Sequence, residues 1–353
     1  DEGMKISDKI GYPVLLKAAA GGGGKGMRKI NSRDEFQSAF EATKRESLRA
    51  FASDEIYIEK FIENPKHIEV QIFADEHGNY VHLNERECSI QRRHQKIIEE
   101  SPSSFVDEET RNKITQAAID AAKACNYFNA GTVEFLMDSK KNFYFLEMNT
   151  RLQVEHPVTE LTTGFDLVKE QLSIASGKKL SFKQNQVKIN GHSIECRIYA
   201  EDAENNFMPS TGKIIHYVAP SGPGVRLDSG FEIGSQISVY YDPLISKLVC
   251  WGKDRKAAIE RMKRALSEYH IAGLITNISF LKLIVGQKDF NDGKFDISYL
   301  NEEFMSDISS LHSKSGKESL MEVAAIFSAI HKSKVSLNHV SSNQRETANR
   351  WME

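Results

Sequence analysis

Segments in which apolar and polar residues alternate run through the first part of the chain and predict β-strands. The predicted strands cover residues 12–18, 27–30, 55–60, 67–73, 80–83, 131–137 and 142–148. The last four strands form two hairpins, because a short polar segment joins each pair, at 75–79 and at 139–141. This part of the chain is therefore predicted to contain antiparallel sheet.

Helical periodicity interrupts these strands. One helix begins after Ser32, where Glu35 three residues later completes a capping-box pattern. Further helices are predicted at residues 108–125, 165–176, 254–268 and, with an amphipathic stripe, 318–332. Residues 190–252 are rich in strands and in glycine and proline turns. The mixture predicts an α+β fold.

The chain has 353 residues, of which 40% are apolar and 27% are charged, as in ordinary globular proteins. Its formal net charge of −3 lacks the basic excess of proteins that bind nucleic acid without sequence preference. The chain has no apolar run of membrane-spanning length and no signal-peptide pattern at its start. We therefore expect neither a nucleic-acid nor a membrane partner, and a cytoplasmic protein.

The four cysteines are Cys88, Cys125, Cys196 and Cys250, and no two of them are spaced C-x-x-C. We expect free thiols and a reducing compartment. The chain is already in a strand by Tyr12 and reaches a glycine-rich segment soon afterwards. Because an α/β enzyme rarely starts on its functional loop, we expect a further N-terminal portion before residue 1.

A run of four glycines follows the first predicted strand, and it consists of Gly21, Gly22, Gly23 and Gly24. Glycine permits positive φ and leaves backbone N–H groups open, so such a loop can fold over phosphate oxygens. No Gly-Lys-Ser/Thr sequence follows, which excludes a Walker A loop. Lys17, near the end of the strand, is placed to reach a phosphate. The alternative interpretation is a flexible hairpin tip.

Two glutamates, Glu134 and Glu147, lie on the two strands of the second predicted hairpin. A symmetric loop centred near residue 140 or 141 places them directly opposite each other. Like charges in that position are destabilising, and a divalent cation between them would remove the conflict. Asn149 lies on the same face and completes a set of oxygen ligands that suits Mg²⁺. The alternative is that both glutamates are solvated on an outer face.

Arg151, Gln153 and Glu155 follow this hairpin and share one side of the chain if it stays extended. A guanidinium binds a planar oxyanion through two parallel hydrogen bonds, and a neighbouring carboxylate can act as a general base. The segment therefore predicts a small-anion site with its base. The alternative, a surface ladder of salt bridges, does not fit a position directly after the predicted metal site.

Residues 88–96 bring Arg92, Arg93, His94 and Lys96 close together, which is unfavourable unless anions lie nearby. The run therefore predicts contact with anionic groups. A basic patch for RNA is the alternative, but the run contains no aromatic residue on which bases could stack.

Together these segments resemble the biotin carboxylase component of biotin-dependent carboxylases, which belongs to the ATP-grasp family. The resemblance covers about residues 10–304. Its most specific segments are Lys17–Met27, Glu59–Phe61, Glu87–Lys96, Glu147–Pro157 and His192–Arg197. The glycine-rich segment by itself would also suit other ATP-grasp enzymes.

The resemblance implies an α+β ATP-grasp fold in which a small lid subdomain precedes a larger antiparallel-sheet subdomain, followed by a biotin carboxylase C-terminal domain. The implied domains are the lid at 1–61, the core at 62–180, the C-terminal domain at 181–305 and a tail with one amphipathic helix at 306–353. The N-terminal α/β domain of the family is missing from this sequence. Lys25 stands where some relatives carry arginine.

The resemblance also assigns roles to individual residues. ATP would be bound by Lys17, Gly22, Gly23, Gly24, Glu59, Lys60, His67, Gln91 and His94. Mg²⁺ (or Mn²⁺) would be held by Glu134, Glu147 and Asn149. Bicarbonate would be bound by Lys96, Arg151, Gln153 and the backbone of Val154. The catalytic residues would be Glu155 as the base, Arg197 beside the biotin enolate, Arg151 and Lys96.

The implied reaction uses ATP to phosphorylate bicarbonate, and the resulting carboxyphosphate supplies CO₂ to biotin on a carrier protein. This is the first half-reaction of an acetyl-CoA or propionyl-CoA carboxylase. The implied partners are a biotin carboxyl carrier protein and a carboxyltransferase. Because the tail beyond Phe304 has no Met-Lys-Met acceptor motif, we expect the carrier to be another chain or a part of the gene product outside this sequence. The helix at 318–332 is a candidate for docking the carboxyltransferase, and the alternative is that it packs on the same subunit. The resemblance also implies a homodimer of the full-length chain.

Two other functions stay open at this point. A carbamoyl-phosphate-type ATP-grasp ligase also phosphorylates bicarbonate, although Gln91–Lys96 and Arg151–Glu155 disfavour it. Without the N-terminal domain, the chain could also be a non-catalytic fragment that binds nucleotide weakly or not at all.

Overall fold

The computed structural model describes residues 2–20, 26–302 and 304–305. Asp1–Leu300 form one compact unit. Three of the predicted nucleotide residues, Gly22, Gly23 and Gly24, lie outside the described residues. The tail at 306–353 and its predicted helix also lie outside them.

Helices and strands alternate along the described chain. The helices are α1 (Glu2–Ile10), α2 (Arg33–Phe51), α3 (Glu108–Ala124), α4 (His156–Thr163), α5 (Leu167–Ala175), α6 (Arg255–Glu268), α7 (Ile278–Gly286) and α8 (Lys288–Asn291). The strands are β1 (Val14–Ala18), β2 (Met27–Ile30), β3 (Ile56–Lys60), β4 (Lys66–Ala74), β5 (Tyr80–Arg92), β6 (Gln95–Ser101), β7 (Asn129–Met137), β8 (Phe143–Asn149), β9 (His192–Tyr199), β10 (Glu201–Asp202), β11 (Met208–Pro209), β12 (Gly212–Lys213), β13 (His216–Val218), β14 (Val225–Ser229), β15 (Gln236–Ile237), β16 (Leu244–Gly252) and β17 (His270–Ala272). The predicted strands and helices between residues 12 and 176 are all present. Strand β5 is longer than expected and continues to Arg92.

The first part of the chain builds a three-stranded antiparallel sheet in the order β2-β1-β3. On β1, Val14, Leu16 and Ala18 are buried, whereas Leu15 and Lys17 are half-buried. Val14 and Leu16 join Ile30 and Phe36 in a small apolar core under α2. Because side chains alternate along a strand, Lys17 projects from the face opposite to this core.

Helix α2 begins after Ser32, as predicted, but its cap differs from the expected capping box. Ser32 has extended backbone dihedrals, and its side chain makes no capping hydrogen bond. The Glu35 carboxylate instead accepts the backbone N–H of Asn31 at 3.0 Å. The glutamate therefore accepts from the residue before the N-cap instead of from the N-cap itself, and the expected hydrogen bond of the Ser32 side chain is absent.

An eight-stranded antiparallel sheet forms the centre of the compact unit, in the order β14-β16-β9-β6-β5-β4-β7-β8. One of its faces is covered by α3, whose Ile114 and Ala118 pack in a buried apolar cluster with Ile68 and Val70 of β4. The strands come from both sides of residue 180, so one sheet joins two regions that were expected to be separate domains. The domain limits stay predictions.

In the hairpin of β7 and β8, Glu134 lies directly opposite Glu147, so the predicted pairing is confirmed. The loop is not symmetric about these residues, because the register shifts by one position between Glu134 and Phe135. Phe135 pairs with Phe145, and Leu146 is the bulged residue. Without the bulge, Glu134 would face Leu146 instead of Glu147.

Within residues 2–20, 26–302 and 304–305, no helix combines the length and the apolar character needed to cross a bilayer. All four cysteines are free, in agreement with the expected thiols, and Cys88, Cys196 and Cys250 are buried.

Candidate active site

Three carboxylates converge on the ammonium group of Lys96, near the start of β6. Its Nζ lies 2.6 Å from Glu69 Oε2, 2.7 Å from Glu155 Oε1 and 3.1 Å from Glu134 Oε1. Burial by itself would lower the pKa of Lys96, but the carboxylates outweigh it and raise that pKa well above its usual value. Lys96 is therefore a fixed positive charge. The anions that the cationic run required are supplied here by the protein itself.

The other cations of this run are placed outside the buried site. Arg92 lies 3.2 Å from Glu201 Oε2 and stacks over the ring of Phe207 at 4.0 Å. Arg93 and His94 form the turn between β5 and β6, with φ values of 50° and 67°, and both are exposed. The run therefore contributes Lys96 to the site, whereas His94, a predicted nucleotide residue, lies at a loop tip.

Glu155 is buried next to the start of α4 and lies between two cations. Its Oε1 contacts Lys96, and its Oε2 accepts a hydrogen bond from Arg197 Nη2 at 2.9 Å. Arg197, on β9, also donates through Nε to Glu99 Oε1 at 2.5 Å. Burial would raise the pKa of Glu155, but Lys96 and Arg197 hold it well below its usual range. The Glu155 carboxylate is therefore ionised at neutral pH.

The chain does not stay extended after β8, so the expectation that Arg151, Gln153 and Glu155 share one side is wrong. Residues 150–155 turn, because α4 begins at the next residue with a proline in its first turn, a position that favours helix. The turn buries Gln153 and Glu155 but leaves Arg151 exposed. The structure therefore brings two of the three residues into the buried site.

Arg151 lies beside the candidate metal ligands instead of the base. Its guanidinium is 3.3 Å from Asn149 Oδ1 and 3.3 Å from Leu152 O. Val154, whose backbone was expected at bicarbonate, is half-buried, and its carbonyl accepts from Lys247 Nζ at 3.0 Å. The four predicted bicarbonate residues are thus divided between the buried site and its rim.

Glu134, Glu147 and Asn149 come together on β7 and β8. Asn149 Nδ2 lies 2.9 Å from Glu134 Oε1 and 3.3 Å from Glu147 Oε1. Glu134 is buried, whereas Glu147 is exposed. Two carboxylates and one amide oxygen are hard donors of the kind that Mg²⁺ prefers, once the amide turns its oxygen inward. These residues therefore fit a magnesium ion at the edge of the buried site.

Protein groups already offset the charge of Glu134, which changes the argument for that ion. His67 Nε2 lies 2.7 Å from Glu134 Oε2, and Gln153 Nε2 donates to Glu134 Oε1 at 2.5 Å. Burial would raise the pKa of Glu134, but His67 and Lys96 lower it to about 2. The facing glutamates are therefore tolerated without a metal ion. The magnesium site stays a prediction that rests on the donor set.

His67 and Gln91, both predicted to line the nucleotide pocket, belong to the same buried network. Gln91 Nε2 donates to Cys88 O at 2.7 Å, which fixes the orientation of its amide. The same nitrogen lies 2.8 Å from His67 Nδ1, so Nδ1 acts as the acceptor. Nε2, the other ring nitrogen, is the one that lies next to the Glu134 carboxylate.

Lys17, Glu59 and Lys60, also predicted nucleotide residues, lie on the three-stranded sheet. Lys17 Nζ donates to Glu59 Oε1 at 3.2 Å across β1 and β3. Burial would lower the pKa of Lys17, but Tyr57 and Glu59 raise it, so the ammonium is charged. Lys60 Nζ donates to Gly11 O at 2.7 Å and therefore holds the segment after α1.

Sequence reasoning missed three charged residues of the site, Glu69, Arg86 and Glu99. Arg86 is completely buried and donates to Glu69 Oε1 at 2.5 Å and to Gln153 Oε1 at 2.9 Å. Arg86 also contacts Thr159 of α4 at 3.1 Å. In the sequence, these residues occupy the polar positions of alternating strands. Such positions usually indicate a solvent-exposed face, and the residues were therefore not recognised as part of a site. Here α4 covers that face.

Two family models match the chain in succession. Residues 1–183 match the model described as carbamoyl-phosphate synthase L chain, ATP binding domain. Residues 195–302 match the biotin carboxylase C-terminal domain. With the large antiparallel sheet, these matches define an ATP-grasp protein of the α+β class, as expected.

Similar proteins of known function identify the family within the ATP-grasp class. Biotin carboxylase from Nostoc sp. is 54% identical over 301 residues, which are 85% of this chain and 67% of that protein. Methylcrotonoyl-CoA carboxylase subunit alpha of Rattus norvegicus, a mitochondrial protein, is 50% identical over 326 residues, 92% of this chain and 46% of that subunit. The chain spans about half the length of such curated relatives.

Solved structures show the same family. The biotin carboxylase domain of Hydrogenobacter thermophilus 2-oxoglutarate carboxylase, in complex with MgADP, ADP and bicarbonate, has a TM-score of 0.80 at 48% identity. The match covers 86% of this chain and 67% of that one. The chain belongs to the biotin carboxylase family, whose members are ATP-dependent ligases.

Proposed function

We propose that the protein carboxylates biotin on a carrier protein with bicarbonate and ATP. The observation that carries the proposal is the buried junction of Lys96, Glu155 and Arg197, in which one ionised carboxylate lies between two fixed cations. A small anion that enters this junction would meet two cations and a base at once. The related domain from H. thermophilus was crystallised with MgADP and bicarbonate, the ligand types that such a junction suits.

In the first step, an oxygen of bicarbonate attacks the γ-phosphorus of ATP, the bond to the β,γ-bridging oxygen breaks, and ADP leaves. Glu155 accepts the bicarbonate proton. Lys96, Gln153, Arg151 and the Val154 N–H would hold the anion, after Arg151 turns in from the rim. Positioning and charge neutralisation supply most of the rate enhancement in such a step.

Substrate binding would make Glu155 a better base. Lys96 and Arg197 depress its pKa in the structure, and a carboxylate with a very low pKa accepts protons poorly. Bound bicarbonate would share these cations and weaken their contacts with Glu155. The pKa of Glu155 would then rise toward the range in which a general base is effective.

In the second step, carboxyphosphate breaks down to CO₂ and phosphate, the released phosphate takes the proton of the ureido nitrogen of biotin, and that nitrogen attacks CO₂ to form the N–C bond of carboxybiotin. Arg197 would stabilise the enolate form of biotin, because its guanidinium is a fixed cation that is already oriented. The same residue pairs with Glu155 before the substrate binds, so the two steps share one charged junction.

ATP would lie between the three-stranded and the eight-stranded sheet. The residues predicted to contact it are Lys17, Glu59, Lys60, His67, Gln91 and His94. The glycine loop with Gly22, Gly23 and Gly24 would cover the phosphates. Glu134, Glu147 and Asn149 would hold Mg²⁺ (or Mn²⁺). This ion would neutralise charge on the phosphates during transfer.

At a finer level, we propose that the protein performs the first half-reaction of an acetyl-CoA or propionyl-CoA carboxylase. The full-length protein would work in the cytoplasm, as a homodimer, with a biotin carboxyl carrier protein and a carboxyltransferase. The relatives named above come from a methylcrotonoyl-CoA and a 2-oxoglutarate carboxylase. The biotin step is thus compatible with several final acceptors, which the carboxyltransferase selects.

The test is ADP release by the full-length protein. We expect release that requires both bicarbonate and biotin. Turnover that ignores biotin and responds to ammonia would support a carbamoyl-phosphate-type ligase instead. Absence of turnover, together with absence of MgATP binding in a calorimetric titration, would support a non-catalytic protein. The exposed-surface variant Glu109→Gln serves as the control, because Glu109 is exposed and pairs with Lys113 on the same helix.

A further inference from the structure

A second pair of facing glutamates lies deeper in the large sheet. Glu99 on β6 is directly opposite Glu195 on β9, and both are completely buried. Opposite residues in antiparallel strands project from the same face, with Cβ atoms about 5 Å apart. Arg197, two residues further along β9, projects from that face as well. Neither Glu99 nor Glu195 is among the residues to which the proposed function assigns a role.

This pair has too few hydrogen-bond donors for two carboxylates. Glu99 Oε1 accepts from Arg197 Nε at 2.5 Å. Glu99 Oε2 and both oxygens of Glu195 have no hydrogen-bond partner within the part of the chain that the structure describes. Lys247 lies opposite Arg197 on β16, but its Nζ donates to Val154 O instead. One cation therefore serves two buried carboxyl groups.

Such a shortage is resolved when one group takes up a proton, because a buried ionised carboxylate without donors is strongly unfavourable. Burial first, and then repulsion from Glu99, raise the pKa of Glu195 well above its usual value. Lys247 and Arg197 act in the opposite direction, and Glu155 adds further repulsion. These are the charged groups that face Glu195 from β6, β9, β16 and the start of α4.

We propose that Glu195 is protonated at neutral pH and keeps its proton, and that its O–H donates a hydrogen bond to Glu99 Oε2, so that Glu99 stays the anionic anchor that positions Arg197. The inference rests on the proposed function, which places Arg197 beside the biotin enolate. Glu99 holds the Nε side of the guanidinium, and this directs Nη2 toward Glu155. When an anion draws Arg197 away from Glu155, the anchor keeps the guanidinium in place. Glu99 and Glu195 are therefore positioning residues.

The experiment compares Glu195→Ala with Glu195→Gln in the full-length protein. Alanine removes the donor to Glu99, so we expect the biotin-dependent kcat to fall about tenfold, as for other residues that orient a reacting group. The glutamine amide restores a neutral N–H donor of similar shape, so we expect its kcat within about twofold of the wild type. The KM for ATP should stay unchanged in both variants, because the nucleotide residues lie elsewhere.

Infrared difference spectra in H₂O and D₂O give a readout that does not depend on turnover. We expect the carbonyl band of a buried carboxylic acid in the wild type at neutral pH, and its loss in Glu195→Gln. Absence of this band, or a glutamine variant as slow as the alanine variant, overturns the proposal. If the alanine variant does not fold, the band and the glutamine variant decide. Wild-type protein that shows the band but no biotin-dependent turnover refutes the proposed function and the anchor role, not the proton on Glu195.

Discussion

Two consecutive glutamates on β6, Glu99 and Glu100, are both buried and face opposite sides of the sheet, yet their pKa values shift in opposite directions. Burial raises the pKa of Glu99 to about 7, although Arg197 opposes the change. Burial acts on Glu100 too, but His192 Nε2 at 3.0 Å and Arg255 Nε at 2.8 Å outweigh it and lower that pKa to about 2. Burial therefore does not decide the charge. For these two residues, the cations in contact with each carboxylate decide it, one for Glu99 and two for Glu100.

The two faces of the sheet differ in this number. On the face covered by α3 and α6, each buried carboxylate has a cation of its own, in the pairs Glu85–Arg111, Glu87–Lys66 and Glu100–Arg255. On the face covered by α4, five buried carboxylates share four permanent cations. The carboxylates are Glu69, Glu99, Glu134, Glu155 and Glu195, and the cations are Arg86, Lys96, Arg197 and Lys247, of which Lys247 also pairs with Asp228. Each carboxylate named on the first face thus has its own cation, whereas Glu195 on the second has no hydrogen-bond partner within the described residues.

The largest effect on the α4 face should come from Glu155→Gln. We expect bicarbonate-dependent ADP release to fall by about 10²–10⁴-fold, which is the contribution of a positioned general base. Affinity for MgATP, measured by calorimetry, should stay within about twofold, because the carboxylate contacts cations and not the predicted nucleotide residues. An equal loss of nucleotide affinity would show that Glu155 has another role.

Lys96→Met should have the next largest effect, because it leaves Glu69, Glu134 and Glu155 without their shared cation. Removal of one partner from a buried charge network costs about 3–5 kcal/mol of folding free energy. We also expect turnover of the folded protein to fall by about 10²–10³-fold, since a preorganised cation is lost. Urea unfolding and steady-state kinetics measure the two effects separately.

The matched control for Lys96 is Arg255→Met on the other face, where Glu100 loses a partner of the same charge. This variant should lose a similar amount of stability and keep its turnover per folded molecule. If both variants lose turnover to the same extent, the functional difference between the two faces does not exist.

The sequence could predict features that local pattern defines, and it could not predict this charge balance. Glu99 and Glu100 are neighbours in the sequence, and both are followed and preceded by strand residues. The cations that lower the pKa of Glu100 come from positions 92 and 155 residues away. Alternation shows that two residues lie on opposite faces of a strand, but it does not show which helix covers each face.

The same limit explains one error at the site and one correct prediction that was made for an incomplete reason. The pairing of Glu134 with Glu147 was predicted from the position of a loop, yet it depends on a bulge at Leu146 that no sequence pattern indicated. The position of Arg151 was predicted wrongly because the turn after β8 is set by the packing of α4 against the sheet. Pro157 was the available signal, since proline in the first turn of a helix predicts where the extended segment ends.

A smaller effect is expected for Glu147→Gln, at the exposed edge of the α4 face. Neutralising one hard ligand should weaken Mg²⁺-dependent nucleotide binding about tenfold, with little change in stability, because Glu147 is exposed. Calorimetric titrations with ADP at several magnesium concentrations measure it. The exposed control Glu109→Gln should show no change. Unaltered magnesium dependence in Glu147→Gln would remove the metal site from this hairpin.

The two faces can also be distinguished without turnover, because the pH dependences of stability in Glu100→Gln and Glu195→Gln should have opposite signs. The pKa of Glu100 is lowered from 4.5 to about 2, so its charge stabilises the fold above about pH 4, and this is lost as the pH falls through 2. The free energy of unfolding of Glu100→Gln should therefore be ~3 kcal/mol lower than that of the wild type at neutral pH. The difference should shrink as the pH falls toward 2.

Glu195→Gln should behave in the opposite way, because folding raises the pKa of Glu195. A group with a raised pKa stabilises the fold fully below its unfolded pKa, near pH 4, and this stabilisation is lost as the pH rises through the folded value. Glutamine stays neutral throughout. Relative to the wild type, the free energy of unfolding of the variant should therefore rise by ~1.4 kcal/mol for each pH unit above about 4, until the raised pKa is reached. Urea unfolding of both variants across this range measures the two slopes. Slopes of the same sign would mean that Glu195 is ionised, and that both faces balance their charge in the same way.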